Sequence, residues 1–284
     1  MNSYSLPDDL LKGAPQEIGE LAIFDYEVPN TVMKNKINLN KHVISFLVDG
    51  QKDLRFADKT VSIDTTRALF IASGNFLLTE HIGSKCFKCL FFFFSQKKVS
   101  DFLIKHYPFV KDKEPGISTA KDFYFQLERD SYINQFIHSL YQTISLNEPL
   151  HQSILSLRLE EILLYLGEKH KQPFVNYLRS LLADERSLSF RSVVEQNICS
   201  NLSLEELAFL CNMSLSTFKR KFMDIYEVPP GKWLQKERLK KARELMLDKK
   251  LKASEIYLDF GYNNLSSFSI AFKNEFGFSP KDVG

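Results

Sequence analysis

Leu215, Ser216, Lys219 and Arg220 have the chemistry and the helical spacing to read the edges of nucleic-acid bases. They are the positions left outward when Phe218 and Phe222, at i and i+4, face a core. Lys219 or Arg220 can donate to guanine O6 and N7, Ser216 can hydrogen-bond a base or a phosphate, and Leu215 can touch a thymine methyl. A shift of 50 residues gives Leu265, Ser266, Ser269 and Ile270, set around Phe268 and Phe272. This second set has no Lys or Arg at its centre. Most base contacts are therefore expected from the first set, with Asn263, Asn264, Ser267 and Lys273 of the second serving as backbone anchors. Ile270 also reads as a core residue.

The elements that must position these side chains are written twice. Phe218, Phe222, Tyr226, Val228 and Pro230 recur as Phe268, Phe272, Phe276, Phe278 and Pro280. Ahead of each run lies a short helical piece, ending at Leu207-Ala208 or Ile256-Tyr257. A turn follows, Cys211-Asn212-Met213 or Phe260-Gly261-Tyr262, with Asn or Gly where positive φ is wanted. A short helix, a tight turn and a longer helix make a helix-turn-helix. Ser203-Leu204-Glu205-Glu206 reads as an N-cap with early acids for the first short helix, Ser214 caps the first longer helix, and Asn264 to Phe276 forms the second. Between the units, Trp233 to Leu247 reads as a connecting helix. Leu234, Leu239, Ala242, Leu245 and Met246 face inward, and Lys236, Arg238, Lys240, Lys241 and Arg243 mostly outward. Lys236, Lys240, Lys249, Lys250 and Lys252 could contact phosphates, although a lysine on a helix exterior is more often only solvated.

Charge leans the same way. The chain of 284 residues has a net charge of +2, but residues 186 to 284 carry 16 Lys+Arg against 12 Asp+Glu, leaving 21 against 23 for the rest. By itself that excess describes a solvated surface; its coincidence with the paired units gives it weight.

The run Arg238-Leu239-Lys240-Lys241-Ala242-Arg243-Glu244-Leu245, followed by Ile256, Gly261-Tyr262, Ser266, Phe268, Phe272-Lys273, Phe276-Gly277 and Ser279-Pro280, resembles the C-terminal signature of the AraC/XylS transcriptional regulators. The resemblance covers roughly residues 190 to 283. Met213-Ser214-Leu215-Ser216-Thr217-Phe218-Lys219 is similar to the branch that regulates type III secretion. The sequence departs from the family at Ile270, where a basic residue is common, and at Tyr257, where a small one is usual. Arg238 matches a family position that more often stabilises the domain than touches DNA.

The resemblance implies an α+β chain. An N-terminal cupin-like β-barrel with helices would occupy residues 1–167, a connector 168–189, and an all-α domain of two helix-turn-helix units joined by a linker helix 190–284. It also implies a sequence-specific transcription regulator, an activator in most of the family. Two recognition helices would enter successive major-groove segments about 10 bp apart. The implied partners are double-stranded promoter DNA, RNA polymerase, a small-molecule effector or regulatory protein, and a second copy bound through the N-terminal domain. No cofactor is implied.

The residues of the first half fit this outline in pattern. Leu21–Tyr26, Val43–Val48, Leu69–Ala72 and Cys86–Phe94 are apolar runs of strand length, separated by turn chemistry at Asp49-Gly50, Ala57-Asp58-Lys59-Thr60 and Ser73-Gly74-Asn75. Asp49-Gly50 suggests a hairpin or meander. Helical periodicity follows at Val99, Phe102, Leu103 and Tyr107, then at Phe125, Tyr132, Phe136 and Leu140. It is strongest over Ile154, Leu155, Leu157, Arg158, Glu161, Ile162, Tyr165 and Leu166; the polar stretch Gly167–Pro173 is expected to end that helix, and a second helical piece to Leu182 with the polar Ala183 to Ser189 to complete the connector. Its apolar face must pack on the β domain or on another chain, and Leu155 and Ile162 are candidates for a dimer contact.

A ligand could sit in a barrel lined by Phe46, Phe70, Phe76, Phe87 and Phe92; alternatively these rings fill the barrel and a protein partner exerts control. Three other classes are weighed. A cupin-type metalloenzyme would need clustered histidines, whereas His42 and His81 are isolated and Glu80-His81 is a single adjacent pair. A sugar- or small-molecule-binding protein with a helical appendage lacks a motif of its own. An architectural DNA-binding protein would carry more basic charge. Cys86 and Cys89, three apart, read as semi-buried thiols. No apolar run reaches membrane length, and Met1–Asp9 has neither a basic start nor an apolar stretch, so a cytoplasmic protein is expected.

Overall fold

The computed structural model describes residues 2–11, 19–106, 123–144, 146, 150–182, 190–200 and 202–283. It divides into two compact units, Met1–Arg186 and Ser187–Gly284. Tyr107 and the connector segment 183–189 lie outside the described residues.

The N-terminal unit is built on two five-stranded sheets that face each other without closing into one hydrogen-bonded ring, a cupin-like arrangement. One sheet has the order β1 (Ser3–Leu6), β3 (Val32–Leu39), β8 (Gly74–His81), β5 (Gln51–Arg55), β6 (Thr60–Ile63). The other runs β10 (Tyr124–Glu128), β7 (Arg67–Ile71), β4 (His42–Asp49), β9 (Phe87–Phe94), β2 (Leu21–Val28). The expected hairpin at Asp49-Gly50 is a corner instead. β4 pairs with β7 and β9, whereas β5 pairs with β6 and β8. Gly50 has φ 98°, and a Cβ there would lie 2.4 Å from the His81 carbonyl oxygen. Turn chemistry specifies a tight reversal and is silent on whether the flanking strands pair. The local hairpin joins β5 to β6 around Ala57-Asp58-Lys59.

β9 explains why alternation is hard to see in this half. Phe87, Cys89, Phe91 and Phe93 point between the sheets, while Leu90, Phe92 and Phe94 point at the helices. A strand covered on both faces is apolar at nearly every step, and in β9 only Lys88 departs from that. The expected lining of the barrel is corrected by the same geometry: Phe76 and Phe87 face the interior, but Phe46, Phe70 and Phe92 belong to the layer beneath the helices.

Helices Gln96–Lys105 and Ser131–Ile144 and the broken helical run Leu150–Ser180 form that layer. Leu155, Leu159, Ile162, Leu163 and Leu166 are buried against the sheet. The apolar face is thus spent within its own unit, and Leu155 and Ile162 are not available to another copy. The helix breaks within Gly167–Pro173, as expected. The break falls at Lys171 (φ 50°, ψ −129°), and the second helical piece that follows is not a free connector: Phe174, Val175, Tyr177 and Leu178 are buried in the same core. Tyr177 fastens this continuation by donating its hydroxyl to the Phe70 carbonyl at 2.9 Å. Polar residues near a helix kink look the same in sequence as those of a linker; the apolar residues beyond them decide which it is.

The C-terminal unit is helical: Phe190–Gln196, Leu204–Leu210, Leu215–Tyr226, Pro230–Lys249, Ala253–Ile256 and Leu265–Phe276, then a 3-10 turn Pro280–Asp282. Among the described residues, no helix is long and apolar enough to cross a membrane.

Candidate nucleic-acid interface

Each longer helix is held by the same local devices. In the first unit, Ser203 Oγ accepts from the Glu206 N–H at 3.2 Å while Glu206 accepts from the Ser203 N–H at 2.7 Å, completing the capping box. Asn212 turns the chain at φ 57°, Ser214 Oγ caps the Thr217 N–H at 3.2 Å, and the helix stops at Glu227 in the left-handed region. In the second unit Gly261 makes the turn at φ 81°, Asn264 Oδ1 caps the Ser267 N–H at 2.8 Å, and Gly277 ends the helix. Caps and stops therefore match at a spacing of 50.

Aromatic clusters fix which face turns inward. Phe218 and Phe222 are fully buried with Phe190, and Trp233 and Tyr226 close the end of the cluster. Phe268 and Phe272 take the same places with Tyr262, Phe276 and Phe278. A guanidinium covers the last ring of each cluster: Arg191 lies 5.4 Å from the Tyr226 ring centre, and Arg243 lies 5.4 Å from that of Phe276.

The opposite face carries the predicted residues. Ser216, Lys219 and Arg220 are exposed and Leu215 is half-buried. In the second unit Ser266, Ser267, Lys273 and Asn264 are exposed, Ser269 is half-buried, and Leu265 is 38% exposed. Ile270 is 63% exposed, which rules out the core reading of that residue. Asn264 Oδ1 is engaged in the cap, leaving its amide NH2 as the group able to reach a phosphate. Sequence reasoning missed Met223, 43% exposed, although it stands 50 residues before Lys273 and so occupies the matching outward place.

The basic residues of the linker helix separate into structural and available ones. Arg238 donates from Nε to the Ile198 carbonyl at 2.5 Å and from Nη2 to the Ser200 carbonyl at 2.8 Å, pinning the helix to the loop before the first unit. Replacing Arg238 by Ala should lower the stability of this unit by roughly 1.5 kcal/mol, because two carbonyls lose a charged donor. Urea unfolding of the variant checks it, and an unchanged midpoint would contradict it. Lys236 pairs with Glu275 at 3.5 Å and Lys240 with Glu237 at 2.7 Å. Beyond the end of the linker helix, Lys250, Lys252 and Lys281 line a groove of about 570 Å³ that reaches Leu265 and Ser269.

In the N-terminal unit, the residues considered for a metal are held apart. His42 Nδ1 accepts from the Ser73 N–H at 3.0 Å, and His81 Nε2 lies 2.8 Å from Asp53. Glu80 points to the interior, where the Tyr26 hydroxyl donates to it at 3.1 Å. Burial pushes both the Glu80 carboxyl and the Tyr26 phenol above their ordinary ranges. Buried Lys52 donates to Ser45 Oγ and lies 3.7 Å from Cys89 Sγ. Cys86 and Cys89 are both free thiols. Among the described residues, no group of three or more His, Cys, Asp or Glu is placed to hold a metal ion. A cavity of about 280 Å³ opens beside Glu80, lined also by Tyr4, Asp9, Tyr26 and Asn35.

Two family models match the chain: an ExsA N-terminal regulatory domain over residues 42–177 and a helix-turn-helix domain over residues 207–283. Over 241 residues the chain is 25% identical to the virulence regulon transcriptional activator VirF of Yersinia enterocolitica, covering 84% of this chain and 86% of that protein. The thermoregulatory protein LcrF of Yersinia pestis matches with the same identity and coverage. The HTH-type transcriptional regulator ExsA of Pseudomonas aeruginosa is 23% identical over 124 residues, 44% of this chain and 45% of that protein. Among solved structures, ToxT from Vibrio cholerae aligns over 93% of this chain and 97% of its own, with 12% identity and a TM-score of 0.42.

Proposed function

This chain belongs to the AraC/XylS family of transcription regulators, and we propose that it activates transcription by placing two outward helix faces in successive major-groove segments of promoter DNA. One observation carries the reading. The same cap, aromatic face and left-handed stop recur 50 residues apart, yet the side chains held outward differ: Lys219 and Arg220 in one unit, Ser269 and Ile270 in the other. A duplicated scaffold with divergent exposed faces suits one protomer reading two unlike half-sites. Leu215, Ser216, Lys219 and Arg220 are assigned to bases of the first half-site; Asn264, Ser267 and Lys273 to the backbone of the second. Regulation through residues 42–177, contact with RNA polymerase, a small-molecule effector or regulatory protein, and pairing of two copies through the N-terminal unit complete the proposal.

Residues 186 to 284 alone should bind a selected duplex in preference to a scrambled one, because both helix-turn-helix units lie within this fragment. Gel-shift titration is the measurement. Equal affinity for the two duplexes would overturn the reading.

A further inference from the structure

Ile270 stands at the outward apex of the second longer helix. At 100° per residue it lies almost opposite the midpoint of Phe268 and Phe272, both fully buried. Leu265 sits on the first turn of the same helix, beside exposed Ser266 and half-buried Ser269. Apolar side chains thus occupy the first and sixth positions of the helix. In the first unit the sixth position is Arg220. One cation stands beside this apex: exposed Lys273 follows Ile270 by three residues, on the adjoining part of the outward face. An exposed apolar apex with a cation one turn away is complementary to one feature of duplex DNA, a thymine methyl in the major groove beside a phosphate.

We propose that Ile270 is a specificity-determining residue that reads a thymine C5-methyl group in the second half-site. The proposal rests on the DNA-binding reading above and replaces the expectation that this helix serves mainly as a backbone anchor. A β-branched side chain suits the task, since its χ1 is restricted by the helix and little rotamer freedom is lost on contact. No hydrogen bond is needed for discrimination. Cytosine presents no methyl at the same place, and uracil differs from thymine by the methyl alone. The two helices would then read DNA by different chemistry, charged hydrogen bonding in one and apolar contact in the other, so the two halves of the site differ in base composition and the bound protein has a defined direction.

The test uses the full chain and a duplex obtained by selection, with each thymine of the second half-site replaced in turn by deoxyuridine. For the natural chain, at least one replacement should weaken binding about fourfold, the equivalent of the ~0.8 kcal/mol associated with one buried CH₂ group. For Ile270→Ala the same duplex pair should bind equally, with the first half-site preference intact. Because Ile270 is exposed, this variant keeps its fold, which a thermal melt confirms. Indifference of the natural chain to every uracil replacement would overturn the proposal, as would an unchanged thymine preference in Ile270→Ala. Failure of the natural chain to prefer the selected duplex over a scrambled one would instead sink the DNA-binding reading on which the proposal rests.

Discussion

An aspartate at Leu155 or Ile162 should unfold the N-terminal unit. Both side chains are completely buried between the long helix and the sheet. Truncating such a residue to Ala costs about 2–5 kcal/mol, and an unpaired carboxylate in the same place adds a further penalty. Domains of this kind are stable by only about 5–15 kcal/mol. Loss of the cooperative thermal transition of this unit, or its accumulation as insoluble protein, is the expected result. Leu157→Asp and Ile104→Asp, at positions 62% and 72% exposed, should shift the midpoint little. If Leu155→Asp melted like the natural chain, the packing described here would be wrong. The pair of experiments also separates folding from association: a change from dimer to monomer in light scattering can be interpreted only for the exposed positions.

Removing both Lys219 and Arg220 should abolish most of the base preference in the first half-site. A good bidentate contact to guanine is worth roughly 1–3 kcal/mol of discrimination, or about 5- to 150-fold. The double Ala variant should therefore bind cognate and guanine-substituted duplexes with affinities at least tenfold closer than the natural chain does. Both side chains are exposed, so the unfolding free energy should stay within about 0.5 kcal/mol of the parent. A matrix of variants against single base-pair changes is the measurement. Relaxation spread evenly over both half-sites would argue that the cations act only on phosphates.

The C-terminal architecture was legible because its signals are local. Ser203, Ser214 and Asn264 announce helix starts, Phe218/Phe222 and Phe268/Phe272 announce the inward face, and Asn212 and Gly261 announce the turns; each acts within a few residues. The role of Arg238 came only through the family resemblance, since nothing in its neighbourhood says that its partners are the carbonyls of Ile198 and Ser200. In the N-terminal unit the deciding contacts are distant. An amphipathic pattern such as Leu155 to Leu166 specifies that a face is covered without naming the cover. Asp49-Gly50 likewise specifies a reversal without saying that the next strand joins the other sheet. The outward faces of the two longer helices were only half legible. Lys219 and Arg220 declare themselves by charge, whereas Ile270 is equally at home in a core or on a surface until its exposure is known.

β9 also bears on how the chain is made. Because Phe87 to Phe94 is covered on both faces, burial alone does not distinguish its correct register from a slip of one residue. Its polar neighbours make the distinction. Lys88 pairs with Asp25 and Glu27 on the adjoining strand at 3.1 and 3.2 Å, and Cys89 meets Ser45 at 3.1 Å on the other side. Both adjoining strands, β2 and β4, leave the ribosome before β9, but the helices that cover its outer side leave after it. During synthesis a run of phenylalanines with high β-propensity therefore waits, edge-paired but bare on one side, for residues 131–182 to arrive. Nascent chains truncated in that interval are the species most in need of a chaperone.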